Sequence, residues 1–298
     1  MHDMEQLSQY SEKEFYKAFE FILNKLKKDK SSSTNSKAYL LGGQPGAGKT
    51  TLYGIIEAEQ GNNVISIDND SFKQLHPNYQ LLEQKYGKDV VEYVTPFSNQ
   101  MTEKIIDYLS DKGFNLIIEG TLRTSEVPMN TANQLKDKGY EINLYVMAVP
   151  KIESYLGTLS RYEDQFILSP KTARATTQEA HDRVVNNLPE NLEILYQNKV
   201  FKDISLYDRS GNKLYSSFES SNLSPKQIIK EELNKKVDNN KLLKNITSVL
   251  DKMNFNQHTN TKQYKEISEL STRIRKDLSN EVQKSLKEFT QKNPDGRL

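Results

Sequence analysis

Leu40-Leu41-Gly42-Gly43-Gln44-Pro45-Gly46-Ala47-Gly48-Lys49-Thr50-Thr51 is an apolar run that breaks into glycines and ends in a lysine and two hydroxyl residues. From Gly43 to Thr50 it satisfies G-x-x-x-x-G-K-[ST] at every fixed position, the pattern of a phosphate-binding loop. Gly43, Gly46 and Gly48 let the backbone turn so that several N–H groups face one concavity. Lys49 is placed to neutralise the outer phosphates, and the Thr50 hydroxyl to bind a magnesium ion. Gln44, Pro45, Ala47 and Thr51 complete the stretch expected against the nucleotide, and the helix opening near Lys49 adds its positive N-terminal end.

Such a loop should follow a strand and open a helix, and both are legible. Residues 37–41 form a short apolar strand, and residues 50–59 carry Leu52, Ile55 and Ile56 at helical spacing before Gly61. Further strands are expected at 63–67, 114–118, 142–149 and 203–207, and a turn at Gly211-Asn212 leads to another at 213–218. Residues 142–149 are the most hydrophobic of these and are expected at the centre. Helices are expected at 11–28, with Phe15, Phe19, Phe21, Ile22 and Leu26 as its apolar stripe, and at 81–93 and 131–138. Another, at 96–109, has Phe97, Met101, Ile105 and Leu109 inward. Alternating strands and helices predict an α/β fold, a mainly parallel sheet covered on both faces. Three parts follow: an N-terminal helix and linker (1–36), a P-loop kinase domain (37–224) with a lid around 151–180, and a lysine-rich helical extension (225–298).

Composition narrows the function classes. Lys plus Arg (41) nearly balances Asp plus Glu (40), so no overall charge points to nucleic acid or an anionic membrane. Cysteine is absent and the four histidines lack metal-ligand spacing, which excludes disulfides and thiolate metal sites. No signal-peptide core and no run near the roughly 20 apolar residues of a membrane span occurs, so a cytoplasmic location is expected.

Two strands end in acids. The strand at 63–67 runs into Asp68-Asn69-Asp70, and the strand at 114–118 into Glu119-Gly120-Thr121-Leu122-Arg123. Ligands in open α/β sheets lie beyond the carboxyl ends of strands, which places these groups near a transferable phosphate. Asp70 is the first candidate for a base acting on an acceptor hydroxyl and Asp68 the second; the alternative is that Asp70 caps the helix that follows. Glu119 is suited to orient a water on magnesium or to bind a substrate hydroxyl, and Arg123 to hold a phosphate bidentately. Arg161 and Arg174 lie where kinases of this kind keep a lid over the triphosphate, although surface arginines would look the same. Glu103 lies off the apolar stripe of its helix, and periodicity alone makes it a solvated residue.

The series of motifs resembles the zeta toxin family of bacterial toxin-antitoxin systems over roughly residues 38–221. The resemblance rests on the phosphate loop, Ile67-Asp68-Asn69-Asp70-Ser71-Phe72-Lys73, Thr95-Pro96-Phe97-Ser98-Asn99 with Met101-Thr102-Glu103, and Ile118-Glu119-Gly120-Thr121. It also rests on Tyr145-Val146-Met147-Ala148-Val149-Pro150 and Thr172-Ala173-Arg174-Ala175-Thr176. It implies a kinase that moves the ATP γ-phosphate to the 3′-hydroxyl of the aminosugar of UDP-N-acetylglucosamine and thereby blocks peptidoglycan synthesis. By matching positions, Asp70 is the implied base, and Lys49, Arg161 and Arg174 the groups around the phosphoryl. Asp70, Glu103, Glu119, Thr121, Arg123 and Thr131 are the implied substrate site. A small helical antitoxin covering the nucleotide site, in a complex of two toxins and two antitoxins, is implied as well. The tail after about residue 225 departs from the family pattern. Apart from the resemblance, a P-loop kinase of another small metabolite and a non-catalytic ATP-binding module stay open; against the second, the Asn-Lys-x-Asp guanine motif is missing.

Overall fold

Tyr39 and Leu41 pack on one side of the first strand and Ala38 and Leu40 on the other, and all four are buried. A strand buried on both sides belongs in a sheet covered on both faces. The computed structural model, which describes residues 7–219 and 223–292, has that arrangement. Its strands are β1 (Lys37–Gly42), β2 (Ile65–Ile67), β3 (Leu116–Ile118), β4 (Glu141–Met147), β5 (Asp203–Tyr207) and β6 (Lys213–Ser216). They lie in the order β2-β3-β1-β4-β5-β6, parallel except for β6, which runs antiparallel to β5. β1 and β4 hold the centre, as the hydrophobicity of β4 leads one to expect. The chain passes from β1 out to β2, returns through β3 and crosses β1 to β4. The crevice at the carboxyl end of β1 is therefore a switch point, where such sheets bind ligands.

The helices are α1 (Glu12–Lys27), α2 (Thr50–Glu59), α3 (Asn69–Phe72), α4 (Tyr79–Tyr86), α5 (Val90–Asp111) and α6 (Glu126–Asp137). They continue with α7 (Lys151–Leu168), α8 (Gln178–Gln197), α9 (Pro225–Asn234), α10 (Asn239–Phe255) and α11 (Lys262–Lys292). α2 covers one face of the sheet through Leu52 and Ile56. Helices α1, α5, α6 and α8 cover the other, where Phe19, Phe97, Leu135 and Leu188 share one core. Ser11 caps α1 in a reciprocal box with Glu14.

Several local expectations are corrected. Phe21 is 63% exposed and Leu23 is buried in its stead, because the face with Phe15, Phe19 and Ile22 continues to 23 and not to 21. A helix was expected to start at Pro96, yet α5 runs through it. The proline forfeits one main-chain hydrogen bond, while Val90 and Val94 before it and Phe97 and Met101 after it are all buried and keep both halves docked. The expected helix at 81–93 is divided between α4 and α5, with a 3₁₀ turn at Gly87–Asp89 between them. α6 starts at Glu126, earlier than the expected 131.

The shift in composition near residue 225 does not coincide with a change of packing. Ile229 and Leu233 of α9 sit in the same core as the sheet. Only α10 and α11 form a separate cluster, and they build it on α7 with Tyr155, Leu156 and Leu159. The expected frayed end, residues 291–298, lies mostly outside the described residues.

Candidate active site

The loop between β1 and α2 takes the shape that its glycines allow. Gly46 and Gly48 have φ of 74° and 89°, in the left-handed region that favours glycine. Among the described residues, the amides of Gly48, Lys49 and Thr50 have no backbone partner. Unpaired donors at a helix N-terminus form an anion cradle. Residues 46–51 line a cleft of about 640 Å³. Gly43 and Pro45 are outside that lining, as is Gln44, whose fully buried amide donates to the Val149 carbonyl at 2.7 Å and the Ser154 hydroxyl at 3.3 Å. The Gln44 side chain thus braces the loop against α7.

Lys49 reaches back from the head of α2 to β3, where its Nζ lies 3.6 Å from Oε1 of Glu119. Burial pushes the Lys49 ammonium below the usual lysine range and the Arg161 charge adds to that, while Glu119 opposes both. A buried cation under this strain is ready for a second anion. Glu119 is held by Tyr53, which donates its phenol hydrogen to Oε2 at 2.7 Å.

Asp68 and Asp70 divide the work at the end of β2. The Asp68 carboxylate accepts from the Asp70 amide at 3.0 Å and caps α3. Burial, with Glu119 and Asp70 nearby, raises the Asp68 pKa above the ordinary aspartate value. The capping role is therefore filled by Asp68, which leaves the Asp70 carboxylate exposed, with Lys73 as its partner at 2.5 Å. Asn69 latches α3 to α5: its amide donates to Asn99 and Thr102, each at 3.0 Å, and accepts from Ser98 at 3.1 Å.

A second pocket, of about 480 Å³, opens beside β3. Glu119, Thr121, Arg123 and Thr131 line it together, with Asn99 from α5. Leu122 shapes it: at φ 52° the buried side chain turns inward against Gly42, and Asn191 holds its carbonyl at 2.9 Å. A branched residue in this backbone region is strained, and the strain persists because the surroundings impose it.

Not every candidate converges. Arg161 lines the phosphate-loop cleft. Arg174 in the connection from α7 to α8, Asp70 on α3 and Glu103 on α5 are all exposed, and none of the three lines either cavity. One residue was missed. Arg209, just beyond β5, donates to the Gly46 carbonyl at 2.5 Å and the Glu153 carbonyl at 3.3 Å, tying the loop to α7. The rule that singled out Asp68 and Glu119, polar groups leaving a parallel strand at its carboxyl end, applies equally to Asp208-Arg209.

The family model described as Zeta toxin matches residues 23–220. This chain belongs to the zeta toxin family. It is 50% identical over 266 residues to "Toxin zeta" of Streptococcus agalactiae, covering 89% of this chain and 93% of the relative. To "Toxin PezT" of Streptococcus pneumoniae serotype 4 it is 45% identical over 215 residues, 72% of this chain and 85% of that one. A solved structure of the PezAT chromosomal toxin-antitoxin system of Streptococcus pneumoniae superposes with a TM-score of 0.75 at 38% identity, covering 82% of this chain and 99% of the other. Every sequence-derived site residue lies in the matched zeta toxin segment, whereas α10 and α11 lie beyond it. Among the described residues, no helix is long and apolar enough to cross a membrane.

Proposed function

We propose that this zeta toxin family member is a kinase that transfers the γ-phosphate of ATP to the 3′-hydroxyl of the aminosugar of UDP-N-acetylglucosamine. One observation carries the reading: Glu119 lines both cavities, so the phosphate-loop cleft and the acceptor pocket share a wall beside Lys49. A phosphoryl transfer needs this, a donor cradle and an acceptor site sharing one wall. The Asp70 carboxylate takes the proton of the acceptor hydroxyl, whose oxygen bonds to the γ-phosphorus as the bond to the bridging oxygen of ADP breaks. Lys49 and Arg161 neutralise the charge on the moving group. Arg174 joins them if the connection that carries it closes over the cleft.

Among the described residues, no group of three acidic or histidine side chains could hold a metal. A magnesium ion would be held by the phosphate oxygens of the nucleotide and by the Thr50 hydroxyl at the head of α2, and would supply charge neutralisation there. Glu103 belongs to the acceptor side in this reading, one residue from Thr102 in the latch that holds α3. The names of the relatives support a toxin paired with an antitoxin. We take the partner to be a small helical protein over the nucleotide cleft, two toxins with two antitoxins, acting in the cytoplasm where the sugar nucleotide is made.

The test is mass spectrometry of UDP-N-acetylglucosamine incubated with the protein, ATP and magnesium. One added phosphate, lost in Asp70→Ala while ATP affinity stays nearly unchanged, is expected. No added phosphate from protein that binds ATP would overturn the choice of acceptor, and wild-type turnover in Asp70→Ala would overturn the base.

A further inference from the structure

In the reading above, the transferred group sits beside Lys49, with the acceptor pocket beyond Glu119. A nucleotide whose last phosphate is there must carry its base the other way, along the rest of the cleft. That part is lined by α7 and by α10 of the C-terminal extension, which pack on each other there. Leu168 of α7, 86% exposed, gives it apolar surface above the buried Leu156 and Val249, and Asn245 and Ser248, about one turn apart on α10, give it polar groups. Among the described residues, neither the Asn245 amide nor the Ser248 hydroxyl has a hydrogen-bond partner, and neither residue is buried. Apolar walls with a few free donors and acceptors suit a heterocyclic ring, whose faces seek apolar contact and whose edge seeks hydrogen bonds.

α10 is fixed to the site along its length. Lys241 pairs with Oε1 of Glu153 at 2.7 Å, and Glu153 is 3% exposed. Lys252 bonds Ser160 at 2.8 Å and Asp164 at 2.7 Å. Asn256 and His258 converge on the buried Glu163, at 2.6 and 2.9 Å. Ile246 and Met253 fill the space between with Tyr155 and Leu159. All these contacts fall on α7, the helix that carries Arg161 and presses on Gly46, so Asn245 and Ser248 are held in register with the phosphate loop.

We propose that α10 completes the nucleotide site and that Asn245 and Ser248 hydrogen-bond the edge of the base, which makes the extension a specificity element of the kinase. The inference rests on the kinase reading. It is tested on the full chain by equilibrium binding, with magnesium, of two probes: a non-hydrolysable ATP analogue and inorganic tripolyphosphate, which has no base. Alanine is the best helix former, so Asn245→Ala, Ser248→Ala and the double variant should fold, and their melting is measured alongside. The double variant should bind the analogue about tenfold more weakly, the worth of two modest hydrogen bonds, and tripolyphosphate as well as wild type does. Unchanged affinity for the analogue would overturn the role of α10 and leave the kinase reading standing. Equal loss for both probes would also overturn it, as general loosening of the loop. A wild-type chain that binds neither probe would overturn the kinase reading and this inference together.

Discussion

Gly157 has no chemical function to lose, yet replacing it should damage the site. It lies in the middle of α7, where a Cβ would stand 2.3 Å from the Gly46 carbonyl oxygen and 3.2 Å from the Arg209 guanidinium nitrogen that binds the same oxygen. Real Cβ contacts essentially never fall under 3.0 Å, so in Gly157→Ala the phosphate loop must retreat from α7 by about 0.7 Å or more. Overpacking of this sort costs about 1–3 kcal/mol. The better helix propensity of alanine offsets about 1 kcal/mol of that, so Tm should fall by no more than several degrees. Catalysis is far more sensitive, since a misplacement near 1 Å can cost about 10²-fold. The expected result is a fall of about 10²-fold in kcat/KM for ATP-dependent phosphorylation of the acceptor, with weaker ATP binding by calorimetry and a nearly intact melting curve. Wild-type ATP affinity and turnover in Gly157→Ala would refute the argument that contact with α7 sets the position of the loop.

Two more outcomes follow from the same geometry. Lys49→Ala removes the cation that lines the phosphate-loop cleft, and in the proposed kinase both ATP affinity and turnover should drop; a titration with neither changed would take Lys49 out of the site. Asp203 opens β5, and although burial opposes its charge, donors from Ser205, Phe218, Ser216 and Ser217 together hold its pKa below the usual aspartate value. A depressed carboxylate stabilises the fold above its unfolded pKa of about 3.9, and that contribution is lost as pH falls through the lower folded value. Asp203→Asn should cost about 1–3 kcal/mol in urea unfolding at pH 7, and the gap to wild type should close toward pH 3. An equal gap at both pH values would show that the charge is not what matters.

The sequence by itself determined the parts of this protein that depend on local order. The glycine spacing from Gly43 to Gly48 dictates a loop whatever surrounds it. The apolar run at β1 calls for a sheet covered on both faces, and acids at strand ends fall at the ligand edge because every parallel strand ends on the same side. Glu119 and Arg123 were legible as polar groups leaving a strand, Thr121 and Thr131 only through the resemblance, and six segments of motif in order carried more than any one of them.

What only the tertiary structure decided concerns elements far apart in the chain. The division of labour between Asp68 and Asp70 depends on which carboxylate caps α3, and residue types two positions apart do not reveal that. Pro96 should end a helix by its own chemistry, and burial on both sides of it overrides the rule. Arg209 meets Gly46 only because β5 lies two strands from β1 across β4, a strand order that periodicity does not encode. By composition α10 reads only as part of a lysine-rich helical extension. Its place on α7, beside the phosphate loop, follows from pairing Lys241 and Lys252 with carboxylates about ninety residues away, a matter of long-range packing that no local pattern contains.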